Sequence, residues 1–236
     1  MLSDTTAIQF NGVWKKYSKN AIFHNSLRED ISSLFVPGQR QNLTANEFWA
    51  LKDITMTVRK GQVVGLWGNN GAGKTTMLKL ISNITLPTMG HLDVYGKVAP
   101  IIDVGSGFHP DLTGRENVYM YGVILGMSFK DVKANMESII DFAELRPFMH
   151  MPVKKYSSGM YLRLAFSIAI HSQADIFIID EVLMLADPVF QQKCFDKIRM
   201  LKNRNRAVVL VTQNQQVMRD ISDHIYTFNA GQITNQ

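Results

Sequence analysis

Residues Gly68-Asn69-Asn70-Gly71-Ala72-Gly73-Lys74-Thr75-Thr76 have the spacing G-x-x-x-x-G-K-[ST], the loop that wraps a nucleotide's phosphates. The spacing has a chemical reason. Glycines let the backbone bend until several N–H groups point inward at anionic oxygens. Lys74 then reaches the outer phosphates, and the Thr75 hydroxyl is placed to ligate Mg²⁺. A second element is Asp180-Glu181, which ends the apolar run Ile176-Phe177-Ile178-Ile179. Asp180 at that edge is placed to hold Mg²⁺ through water. Glu181, one residue on, is placed to orient or deprotonate an attacking water. Taken alone, the pair reads equally as two solvated loop acids; the phosphate loop favours the site. A third element, Tyr156-Ser157-Ser158-Gly159-Met160, precedes residues 161–170, which read as a buried helix. Ser157 or Ser158 is suited to cap a helix there. Small residues opening a helix also suit an anion.

These residues need elements to hold them. Residues 62–67 read as a short buried strand, and 76–81 carry apolar residues at helical spacing. Strand, loop, helix aims a helix N-terminus at a phosphate. Residues 8–14 alternate like an edge strand ending near Tyr17. Residues 18–48 are polar and turn-rich, broken at Pro37-Gly38, with Phe23, Leu27, Ile31 and Leu34 on one helical face. Residues 50–58 form a strand that reaches 62–67 through a turn at Lys60-Gly61. Residues 107–170 are mostly helical, with breaks at Gly126, Pro147 and Pro152. The continuously apolar runs 176–179 and 207–211 suit a parallel sheet covered on both faces. Residues 224–228 read as the last strand.

Composition narrows the class. The 236 residues are 46% hydrophobic and 19% charged, enough to bury a full core. No apolar run approaches the roughly 18–20 residues that span a bilayer. The start, Met1-Leu2-Ser3-Asp4-Thr5-Thr6, has no signal-peptide character. Cys194 is the one cysteine, which excludes an internal disulfide and fits a reducing compartment. The net charge of +5 is spread over scattered residues and pairs such as Lys15-Lys16. With no basic tract, nucleic acid is not expected as a partner.

The order of phosphate loop, Ser-Ser-Gly cluster and apolar strand with Asp-Glu resembles the ATP-binding subunit of an ABC transporter over essentially the whole chain. The resemblance implies an α/β fold: a P-loop NTPase core with a mainly parallel sheet, an N-terminal antiparallel β part and an inserted helical subdomain. It implies one ABC ATPase domain over 1–236, with the helical subdomain at about 107–170. ATP and Mg²⁺ are the implied ligands. They would be bound by residues 68–76 with Tyr17 against the adenine, and Asp103, Thr75 and Asp180 would serve the metal. In the family the Ser-Ser-Gly cluster contacts ATP held by the other copy of a head-to-tail homodimer, here through Ser157, Ser158 and Gly159. Ala186-Asp187 resembles the D-loop, while Asp187 before Pro188 is also a sound helix cap.

A narrower resemblance lies in Glu47-Phe48-Trp49-Ala50-Leu51-Lys52-Asp53, in residues 105–117 and in the Tyr-Ser-Ser-Gly-Met variant. These are similar to exporters of O-antigen, capsule or teichoic acid. That implies a polytopic membrane permease docking near Phe108-His109-Pro110 at the cytoplasmic face of the bacterial inner membrane, with Phe108 exposed for the partner to cover; the alternative is that Phe108 packs inside its own helical subdomain. The added carbohydrate-binding domain of some members is not expected here. Two positions depart from the wider family. Asp103 stands where many members carry glutamine, and Gln213 where they carry a switch histidine. Glu181 and Gln213 are the expected catalytic pair, with slow hydrolysis. An ATP-gated clamp with little turnover is the alternative.

Overall fold

The computed structural model describes residues 5–18, 43, 45–102 and 107–235. Asp103 and the helical face of Phe23, Leu27, Ile31 and Leu34 lie outside them.

The chain opens with β1 (Thr6–Ser18), β2 (Glu47–Arg59), β3 (Val63–Gly68) and α1 (Lys74–Ile81). Next come β4 (Met89–Val94), β5 (Val98–Ile101), α2 (Gly114–Ile124), α3 (Phe129–Ala143) and α4 (Ser158–Ile170). It closes with β6 (Ile176–Ile179), α5 (Pro188–Asn203), β7 (Ala207–Val211), α6 (Gln215–Ile221), β8 (His224–Asn229) and β9 (Gln232–Asn235). Strands β2-β1-β4 make an antiparallel sheet. Strands β5-β6-β7-β3-β8-β9 make a second sheet, parallel except for β9.

Alternation along the central strands explains the layers. Val64, Leu66, Ile176, Ile178, Val209 and Val211 face α1 and the antiparallel sheet. Val63, Phe177, Ile179, Val208 and Leu210 face α4 and α5 on the other side. Both faces are therefore covered, as continuous apolar strands require. Helix α4 serves two cores. Leu162, Phe166 and Ala169 pack on the sheet, while Leu164, Ala165 and Ile168 pack on α2 and α3.

Three expectations need correction. Strand β1 is no edge: it lies between β2 and β4. Its alternation reports one covered face, which says nothing about the number of neighbours. Residues 224–228 are not the last strand, because β9 returns antiparallel through Ala230-Gly231. Phe108 is buried, with its ring 5.2 Å from that of Tyr121 and 4.7 Å from that of Tyr161. Three aromatic rings meeting at one point remove more apolar area from water than an exposed phenylalanine leaves in it.

Candidate functional site

Strand β3 delivers the phosphate loop to the C-terminal edge of the parallel sheet. Gly68 is needed there, because a Cβ would lie 2.3 Å from the Phe228 carbonyl oxygen. Gly73, at φ 109°, turns the chain into α1. A Cβ at Gly73 would sit 2.7 Å from Leu51 and 2.8 Å from the Ala50 carbonyl oxygen. The loop is braced from outside by Gly231 of the β8–β9 turn, whose N–H donates to the Ala72 carbonyl at 3.1 Å. Gly231 in turn accepts from the Lys52 N–H at 2.8 Å.

Lys74 is buried within this loop. Its Nζ donates to the Gly68 and Asn69 carbonyls at 2.7 and 2.9 Å. Asn70, Gly71, Gly73, Lys74, Thr75 and Thr76 line a cleft of about 450 Å³. Asp180 and Glu181 line it too. They follow β6, one strand removed from β3 through β7. Asp180 caps the 3₁₀ turn Glu181–Leu185 by accepting the Glu181 N–H at 2.8 Å. Burial pushes the Asp180 carboxyl up from the usual carboxylate range, and the Glu181 charge adds to that. The Glu181 N–H and the Lys74 charge oppose the rise.

Gln213 follows β7 and lies beside the cleft, where it lines a neighbouring cavity with Glu181. Asn214 caps α6 by accepting the Gln216 and Val217 N–H groups at 3.0 and 3.2 Å. That cap holds Gln213 at the end of the strand. Its Nε2 donates to Glu181 Oε2 at 2.9 Å and to Asn70 Oδ1 at 3.0 Å. A carboxylate only accepts, so the nitrogen of the amide must face Glu181. Both protons of one carboxamide thus tie the phosphate loop to the acid after β6. The sequence singled out Gln213 and Glu181; the direct bond between them and the second bond from Gln213 to Asn70 are structural findings.

Tyr17 also lines the cleft. It lies directly across from Phe48 in the β1–β2 pairing, with the rings 6.2 Å apart. Burial pushes its phenol up, against hydrogen bonds with the Thr76 and Thr85 side chains. Phe48, Trp49 and Lys52 also line the cleft; the sequence singled out their run, 47–53, for its resemblance and gave it no role in the site. They arrive through the long pairing of β1 with β2, which joins residues far apart in sequence.

Ser157, Ser158 and Gly159 are absent from the residues that line this cleft. Ser157 caps α4, its Oγ accepting the Met160 N–H at 3.2 Å. Asp187 caps α5, accepting the Phe190 N–H at 3.0 Å. Arg163 holds its other oxygen at 2.5 Å and keeps that carboxyl below the usual range. Both groups are therefore structural caps within one chain, and both Ser157 and Asp187 are exposed.

The donor set suits Mg²⁺. Thr75 offers a hydroxyl and Asp180 a carboxylate on one cleft wall, and hard oxygen donors together with phosphate oxygens are what this cation takes.

The loop after Phe108 is pinned by Asn117 of α2, which is fully buried. Asn117 Oδ1 accepts the His109 N–H at 2.8 Å. Its Nδ2 donates to the carbonyls of His109, Leu112 and Thr113 at 3.0–3.1 Å. Asn117→Ala leaves several of these groups unpaired, and each unmet buried group costs about 1–3 kcal/mol. Urea unfolding is expected to show a loss of about 2–4 kcal/mol. A loss under about 0.5 kcal/mol, the size of a typical surface substitution, would refute this account of the loop.

The ABC transporter family matches residues 51–184 of the chain. The chain is 40% identical over 220 residues to an O-antigen export system ATP-binding protein RfbB of Klebsiella pneumoniae, covering 92% of this chain and 88% of that protein. It is 47% identical over 175 residues to an RfbB of Myxococcus xanthus, covering 74% of this chain but 40% of that protein's length. A teichoic acids export ATP-binding protein TagH of Lactiplantibacillus plantarum is 35% identical over 226 residues, or 96% of this chain and 60% of that one. Among solved structures, the ATP-binding subunit of an ABC transporter superposes with a TM-score of 0.78 at 18% identity, covering 98% and 89% of the two chains. The dimeric cassette MJ0796, bound to ADP and Pi, gives 0.76 at 20% identity and covers 97% of each. These two support the fold alone. Motifs, cleft and relatives agree: this chain belongs to the ABC transporter family.

Proposed function

We propose that the chain is the ATP-binding and ATP-hydrolysing subunit that powers export of an O-antigen-like surface polysaccharide through a separate membrane permease. The observation that carries this reading is the Gln213 carboxamide joined to both Asn70 and Glu181. It connects the phosphate-binding loop to the Glu181 carboxylate, the group read here as orienting the water. The names of the RfbB and TagH relatives support the substrate class.

In this reading residues 68–76 bind the phosphates, and Lys74 leaves its two loop carbonyls to meet them. Tyr17 meets the base. Thr75 and Asp180 would hold Mg²⁺, which supplies charge neutralisation at the phosphates. Glu181 takes the proton of the attacking water, and Gln213 keeps its carboxylate aimed. Ser157, Ser158, Gly159 and Asp187 act on the nucleotide of a second copy. The exposure of Ser157, Ser158 and Asp187, away from their own cleft, supports this division. The chain works as one ABC ATPase domain, with residues 107–170 as its helical part. No helix among the described residues is long and apolar enough to cross a membrane. In this reading a separate permease carries the membrane-spanning path and holds this subunit at the cytoplasmic face of the inner membrane.

The test is reconstitution with the permease in vesicles. Lys74→Ala is expected to cut ATP turnover by at least about 10²-fold, the scale of losing a charge-stabilising donor, and to abolish polymer movement. Export that continues with Lys74→Ala would overturn the proposal. The docking loop is tested separately. His109 and Pro110 are exposed while Phe108 is not, so contact would run through the former two. Cys194 is buried, which leaves a cysteine at position 109 as the reactive thiol. His109→Cys is expected to cross-link to the permease, and an intact complex without that link would count against the loop.

A further inference from the structure

A second cavity, of about 270 Å³, lies where α4 ends, β6 and β7 begin and the last turns of α5 pass over. His171, Ser172, Lys197, Arg204 and Arg206 line it, and no carboxylate does. From residue 174 to Asp180 the chain runs along β6, roughly 20 Å at strand rise. The cavity is therefore at the opposite edge of the sheet from the nucleotide cleft.

The charges here are unbalanced. Arg206 is answered by Asp175, whose second oxygen is occupied by the Lys97 N–H at 2.9 Å. Among the described residues, neither Lys197 nor Arg204 meets a carboxylate. His171 Nδ1–H donates to the Ser167 carbonyl at 2.7 Å. That leaves Nε2 as an acceptor for Lys197 Nζ at 3.4 Å, so the ring is neutral and takes no part in balancing charge. Burial and the Arg204 charge both push the Lys197 ammonium down. Burial pushes His171 down as well, opposed by its bond to the Ser167 carbonyl and aided by the Lys197 and Arg204 charges. Beside these groups Ser172 Oγ is buried and has no hydrogen-bond partner among the described residues. Helix C-termini attract cations, and α4 and α5 both end here. That accounts for basic residues at this place. It gives Ser172 no partner and Arg204 no anion.

We propose that this cavity binds a small phosphate-bearing anion free in solution, held by Lys197, Arg204 and the Ser172 hydroxyl. A phosphate accepts from all three. Arginine offers a planar fork and lysine a compact charge, the two donor types that recognise phosphate. Several water volumes of about 30 Å³ fit in the cavity, so a phosphate enters with part of its hydration. This site is independent of the nucleotide reading.

The experiment titrates inorganic phosphate into the full chain carrying Lys74→Ala, which weakens the competing phosphate loop. Backbone amide shifts are followed, with choline chloride at matched ionic strength as control. Saturable shifts are expected at Ser172 and His171 with phosphate and not with the control. Lys197→Gln and Arg204→Gln are each expected to weaken binding about tenfold, the scale of a charge-assisted hydrogen bond. Ser172→Ala is expected to weaken it several-fold while leaving the melting temperature in phosphate-free buffer unchanged or raised, since it removes an unpartnered hydroxyl. Shifts that fail to saturate, or that match the control, would overturn the site. So would binding undiminished by Lys197→Gln. Phosphatidylglycerol vesicles form the last arm: shifts with vesicles and none with free phosphate would mean a lipid headgroup and would also overturn it.

Discussion

Glu181→Gln is expected to lower steady-state ATP hydrolysis by about 10²–10⁴-fold, the scale of a lost general base, while ATP binding stays near the parent's. The two effects separate because Glu181 is hydrogen-bonded to Gln213, while the loop carbonyls that hold Lys74 belong to Gly68 and Asn69. Lys74, Gly68 and Gly73 keep their geometry in the variant. A glutamine at 181 still accepts the Gln213 N–H through its amide oxygen. What it loses is basicity. If each nucleotide is bound between Lys74 of one chain and Ser157 of another, a stalled site holds the two chains together. The variant is then expected to sediment as a dimer in ATP and Mg²⁺ and as a monomer without nucleotide. A variant that stays monomeric with ATP bound would remove the head-to-tail arrangement. It would leave Ser157 and Asp187 as the helix caps they are within one chain.

The parts of this site that were readable from sequence share a physical property: their signal is local. The phosphate loop is a contiguous run whose glycines answer steric demands at Phe228 and Leu51. Strands β6 and β7 are apolar at every position because both of their faces are covered. Helix α4 is apolar at most of its positions because it serves two cores at once. The unread parts depend on partners distant in the chain. Strand β5, Val98-Ala99-Pro100-Ile101, carries a proline that argues against a strand. It is tolerated because β5 is the outer strand of its sheet and pairs with β6 alone. Strand β4, Met89–Val94, has no fully buried residue and hence no clean alternation. The β8–β9 turn is built by Ala230 at φ 46° and Gly231 at φ 81°, without the Asn-Gly pair that usually announces a two-residue hairpin. Phe108 shows the limit most plainly. Its neighbours in sequence suggest a loop, while its neighbours in space, Tyr121 and Tyr161, come from two different helices.

Gln213→Ala is expected to cut hydrolysis by about 10²–10³-fold, the cost of removing one preorganised donor, with ATP binding little changed. The parent is expected to turn over slowly but measurably. Its carboxamide donates at the right place, yet both protons are committed, at 2.9 Å to Glu181 and 3.0 Å to Asn70. To contact a terminal phosphate it must release Asn70, keeping Glu181 as its second partner. An imidazole at this position has its two nitrogens on opposite sides of the ring, can hold the carboxylate with one and carries charge when protonated. Gln213→His is therefore expected to preserve or raise the rate. Gln213→Glu sharpens the comparison. It places a second carboxylate within about 3 Å of the first, where both cannot easily ionise. Its rate is expected to fall below that of Gln213→Ala, since repulsion displaces Glu181 where alanine merely frees it. The measurement is phosphate release from the parent and the three variants, each in complex with the permease. Equal rates for the parent and Gln213→Ala would strip this side chain of a catalytic role. The bridge to Asn70 would then be a support for the phosphate loop, and turnover would rest on Glu181 and the opposing Ser157.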